Sequence, residues 1–139
     1  MKLFTLLALA VCAQANAQSF NPAVTQATIN TTICVSGWTA TIRPPVAYTN
    51  KVKRRMMVEW KIDPSQIRAY ELDHIMPLSL GGAPRDPKNL QIQTWKGATG
   101  ALAKDKVEAH IHDSVCQRHV LLATAQACMK SDWRKCALI

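Results

Sequence analysis

Tyr70-Glu71-Leu72-Asp73-His74-Ile75-Met76-Pro77-Leu78-Ser79-Leu80-Gly81-Gly82 is the stretch on which the reading of the fold turns. Asp86-Pro87-Lys88-Asn89-Leu90 follows it and, further on, Ala101-Leu102-Ala103-Lys104-Asp105-Lys106-Val107-Glu108. The order is a short strand ending in an Asp-His pair, a loop rich in Gly and Pro, an Asn, a second strand and a polar-faced helix. Strands are expected over 70–74 and 90–94 and a helix over 101–115. Neighbouring residues of a regular strand point to opposite faces, so Asp73 and His74 reach one site only if the strand ends or bends there. Pro77 and Gly81-Gly82 make that ending.

On the helix, at about 100° per residue, Asp105, Glu108 and His112 fall within roughly 60° of one another, while Val107, Ile111 and Val115 gather on a different face. Glu108 and His112, one turn apart, can therefore face one ion. Asp105 more often pairs with Lys104 or loop backbone.

Lys2, an apolar run from Leu3 to Cys12 and Ala15-Asn16-Ala17 read as a signal peptide over 1–17, cleaved after Ala17. The run is too short to span a bilayer. That leader implies an exported protein, periplasmic or secreted. The formal charge of +8 falls to +7 when Lys2 leaves. A single domain over 18–139 is expected, since about 120 residues make one core and not two.

Cys12 leaves with the leader, and Cys34, Cys116, Cys128 and Cys136 remain. An even number in a small exported chain points to two disulfides; a metal cluster would want Cys-x-x-Cys spacing, which is missing. Three pairings are open. Cys34 with Cys116 and Cys128 with Cys136 is favoured, because the second pair is close in sequence and the first fastens the N-terminal segment to the 101–115 helix.

Elsewhere, residues 18–33 read as a loosely held N-terminal segment, 39–43 as a short extended piece ended by Pro44-Pro45, 51–61 as a helix and 120–129 as another. Ser131 is a candidate N-cap for a last short helix; Trp38, Trp60 and Trp133 are assigned to the core, and Trp95, for which a core place at a strand end is the commoner role, is also a candidate to stack on a base. Several helices around one hairpin make an α+β domain. Lys51, Lys53, Arg54 and Arg55 form the densest basic patch, suited to a polyanion backbone.

The Glu-Leu-Asp-His-x-x-Pro-Leu-x-Leu-Gly-Gly segment, the later Asn89 and Lys104-Asp105-x-x-Glu108 together resemble the small secreted HNH-type (ββα-metal finger) endonucleases, over most of the mature chain. The resemblance implies a ββα-metal core over about 69–116, with additional helices and disulfides, and metal-dependent hydrolysis of phosphodiester bonds with little sequence preference. It implies His74 as general base, Asn89 as the residue bracing the loop, and Asp73 as a metal ligand. Glu108 and His112 are the candidates for the remaining ligands. In colicin-type members two helical histidines do this, and here Glu stands at the first position, with Gly100 where some relatives have Asn. Mg²⁺ is the expected ion, with Mn²⁺ as alternative, since both suit hard carboxylate oxygens. DNA is the expected partner, with RNA as the alternative, contacted by Lys51, Lys53, Arg54 and Arg55 and by Arg85 and Lys88 beside the motif. The competing reading is a basic nucleic-acid-binding protein that keeps the fold without catalysis.

Overall fold

The computed structural model describes residues 19–139; the signal-peptide reading over 1–17 and Cys12 lie outside the described residues. The elements run α1 (Trp38–Ile42), α2 (Val46–Glu59), β1 (Tyr70–His74), β2 (Leu90–Thr94), α3 (Ala101–Cys116) and α4 (Leu122–Asp132). 3-10 segments lie before α1 (Ile29–Thr31), between α2 and β1 (Pro64–Ala69), between β1 and β2 (Leu78–Leu80 and Pro87–Asn89) and after α4 (Trp133–Leu138). Among the described residues no helix is long and apolar enough to cross a membrane.

β1 and β2 are antiparallel, in a register that sets Leu72 opposite Ile92, Asp73 opposite Gln91 and His74 opposite Leu90. Period-two alternation gives this hairpin two unlike faces. Tyr70, Leu72, Leu90 and Ile92 join Val52, Met56 and Met57 of α2 in one apolar cluster. A second, larger cluster gathers Met76, Leu80, Ile111, Val115, Leu122, Ala125, Met129 and Cys136. The domain is α+β, with two disulfides joining Cys34 to Cys116 and Cys128 to Cys136, the pairing favoured from sequence.

The N-terminal segment departs from the expectation of loose attachment. Val24, Ile29 and Ile33 are buried in the larger cluster, and Phe20 bridges to Gly82, with Asn21 N–H donating to Gly81 O and Ala83 N–H to Ser19 O. Their apolar spacing follows neither helical nor strand period, because 3-10 turns and Thr hydroxyls shape the segment. The loop beneath it demands glycine twice. Gly81 sits at φ +83, and a Cβ on Gly82 would lie 1.9 Å from Met76 O.

Residues 39–43 are also not extended: Gly37 at φ 79 turns the chain into α1. Pro45 then starts α2 five residues earlier than the basic patch suggests, its fixed φ being compatible with a helix start. Ser131 lies inside α4, and Asp132 makes the cap instead, accepting from Arg134 N–H. Trp60 is 52% exposed, and Trp95, half-buried, belongs to neither apolar cluster, so neither is core.

Candidate active site

β1 ends where Ile75 N–H donates to Asn89 O, and the chain then turns away through Pro77. Asn89, 1% exposed, holds that turn by three hydrogen bonds. Its Oδ1 accepts from Met76 N–H at 2.7 Å, and its Nδ2 donates to Met76 O and Ala83 O, both at 3.0 Å. The loop so fixed presents Pro84 O to His74.

His74 Nε2 stands 3.0 Å from Pro84 O. A carbonyl oxygen only accepts, so Nε2 carries the proton and Nδ1 carries the lone pair. Among the described residues nothing hydrogen-bonds Nδ1. Burial holds the ring's pKa below the usual histidine value, against the Pro84 hydrogen bond and the Asp73 charge. The imidazole is therefore neutral at pH 7.

Because the strand ends at His74, Asp73 and His74 both line one cavity of about 100 Å³, with Glu71, Asp105, Glu108, Thr39, Arg43 and Ser79. The Lys104 ammonium is buried beside it. Its Nζ donates to Asp73 Oδ2 at 2.8 Å, to His74 O at 2.7 Å and to Glu108 Oε1 in a very close contact. Burial opposes the ammonium, and the Asp73 and Glu108 carboxylates outweigh burial, so its pKa is raised. Burial likewise pushes the Glu108 carboxyl up to about 7, against the pull of Lys104. Glu71, two residues before Asp73 on the same strand face, is also pushed up to about 7, by burial and then by the charges of Asp73 and Asp105. Its Oε2 is buried without a hydrogen-bond partner.

The remaining expected residues are distributed. His112 lines a neighbouring groove with Cys34, Asp113 and Cys116, and its Nε2 meets Ile33 O at 2.9 Å. Helical phase alone grouped it with Glu108; the docked N-terminal segment takes its ring instead. Lys53 Nζ donates to Tyr70 O at 2.6 Å and lines a groove beside the cavity. Lys51 and Arg54 are exposed, and Arg55 pairs with Glu59 at 3.5 Å. Arg85 stands 5.1 Å over the Tyr48 ring. Lys88 lines a separate pocket with Phe20 and Asn89.

Glu71 and Arg43 were not singled out from the sequence, and Lys104 was placed there as a partner of Asp105. Glu71 was legible by period two from Asp73. Lys104 lies on the buried stripe of α3 with Ala101, Ile111 and Val115, and a lysine on such a stripe needs a buried partner. Arg43 reaches the cavity only through tertiary packing; its charge acts on Glu71, His74 and Asp105.

Among the described residues no group of three or more His, Cys, Asp or Glu side chains forms a ready metal site. The donor chemistry nevertheless fits a hard divalent cation: carboxylates of Glu71, Asp73, Asp105 and Glu108 line one cavity, and Glu71 Oε2 is an orphaned buried acceptor. No protein-family model, no curated protein and no solved structure matches the chain.

Proposed function

We propose that the protein is an exported, metal-dependent endonuclease of the HNH type, its hairpin and α3 forming the ββα core. The observation that carries this reading is the neutral His74, with Nε2–H committed to Pro84 O and Nδ1 left as a lone-pair base, on a cavity walled by carboxylates. Such a ring takes a proton from a water molecule near neutral pH. The water oxygen then attacks phosphorus, and the bond to the departing sugar oxygen breaks.

Asp73, with Glu71 and Glu108 beside it, would hold the divalent ion, which offsets charge on the phosphoryl oxygens and the leaving alkoxide. Lys104 keeps Asp73 and Glu108 in place. Arg43, exposed at the cavity mouth, meets the phosphate. Asn89 acts through the loop and through Pro84, so it is a positioning residue. The basic α2 surface, Lys51 and Arg54 foremost, supplies backbone attraction without base reading, in keeping with little sequence preference. Two disulfides accord with an oxidising compartment.

The test is incubation of the oxidised protein with plasmid DNA and with RNA, in Mg²⁺, in Mn²⁺ and in EDTA, beside His74→Ala. Cleavage should need the ion and fall about 10²–10⁴-fold in His74→Ala, with binding retained. Binding without cleavage under either ion would replace the enzyme with a nucleic-acid-binding protein of the same fold.

A further inference from the structure

Beside the His74 cavity, toward α2, lies a groove of about 360 Å³ that shares Arg43, Glu71 and His74 with it. Its walls are of two kinds. Trp95 and Leu72 are apolar, the Trp95 indole being flat, while Thr49, Asn50 and Lys53 are polar. The Trp95 backbone is fixed on both sides, its N–H donating to Ala69 O and its carbonyl accepting from Leu102 N–H. The ring thus stands on a rigid base at the end of β2. The Lys53 ammonium is fixed as well, on Tyr70 O.

We infer that this groove receives one unstacked base next to the phosphate at His74, and that single-stranded nucleic acid is the preferred substrate class; this rests on the nuclease reading above. A base inside a duplex is stacked above and below and reaches a concave groove only after that stacking is broken, whereas a single strand offers its bases at little cost. An aromatic plane beside cationic side chains is the arrangement that single strands use: the backbone follows the positive charge and the base stacks on the ring. Stacking is tolerant of base identity, so the groove selects strand form and not sequence. Continuity with the cavity through Arg43 assigns the occupant: the same chain whose phosphate meets Arg43 lays its base toward Trp95.

The experiment is fluorescence anisotropy of labelled oligothymidylate and of a duplex of equal length, in EDTA at fixed salt, with the oxidised protein. The single strand should bind more tightly. Trp95→Ala should weaken it about five- to hundredfold and leave the duplex affinity where it was, with Trp95→Phe restoring most of the loss. A second variant guards against misfolding. Val46 lines the same groove, is 72% exposed and opens α2, where an acidic residue suits the helix start, so Val46→Glu keeps the fold and repels the strand. Single-strand affinity indifferent to both variants, or equal losses for strand and duplex in Trp95→Ala, would overturn the groove while leaving any metal-dependent cleavage intact. Trp95-dependent binding in a protein that cuts nothing would support the groove and remove the nuclease.

Discussion

On one side of the hairpin Leu72, Leu90 and Ile92 pack against Val52, Met56 and Met57 of α2; on the other, Asp73 reaches α3 across the Lys104 ammonium. The first contact is non-directional, its strength following apolar area removed from water. The second is directional, since a buried ammonium must find each of its acceptors or lose heavily. One hairpin is thus held in the fold by apolar packing and aimed by ions. The atoms that the proposed chemistry uses sit on the ionic side and at the strand end between the two.

The largest effect is expected on breaking the ionic side. Lys104→Met leaves Asp73 and Glu108 without their shared cation and should cost about 3–5 kcal/mol in urea unfolding, with loss of any cleavage. Adding Asp73→Leu and Glu108→Leu to that variant should return much of the stability and none of the cleavage, because an apolar replacement of a buried ion set is often neutral or better. Stability that does not return would mean that the ions hold the fold as well as aim it.

Next comes the apolar side. Met57 is 2% exposed, and Met57→Ala should cost about 2–4 kcal/mol. Cleavage per folded molecule should survive at temperatures below the lowered melting point. A parallel fall in activity would show that α2 packing also aims the site.

The smallest effect is a pH dependence that sharpens the contrast. Glu71 has a folded value of about 7 against an ordinary 4.5, so between these the folded state holds a proton that the unfolded state has released. Its contribution to stability is present at pH 4.5 and below, and is lost as pH rises through 7. His74 runs the other way, its lowered pKa costing stability as pH falls below its ordinary 6.5. Without divalent ions, Glu71→Gln should therefore gain stability over the parent as pH rises from 5 to 8, read by thermal melts. Mn²⁺ should narrow that gap above pH 7 by engaging the ionised Glu71, and EDTA should restore it.

Sequence patterning made the apolar side legible and the ionic side only partly so. Leu72, Leu90 and Ile92 announce themselves by alternation, and the Cys pairing by loop length. Asp73 and His74 stood out as a pair at a strand end. What patterning does not carry is which partner occupies a polar atom. His112 has the right helical phase for the cavity but is drawn to Ile33 O, a backbone atom 79 residues away. Arg43 arrives because Gly37 and Pro45 bend the chain around α1, and a five-residue helix is too short to show a period. Residues 19–33 lacked any period, and their burial follows from contacts with residues far downstream.

Those contacts bear on when the fold can form. Ser19 and Asn21 clasp Ala83 and Gly81, Gln26 Oε1 accepts from Leu122 N–H, and Cys34 is bonded to Cys116 across a separation of 82. A ribosome makes the first of these partners long before the second. The first part of the domain must wait, unpaired, until α3 and the start of α4 have been made, so the native site closes only once Leu122 has left the ribosome.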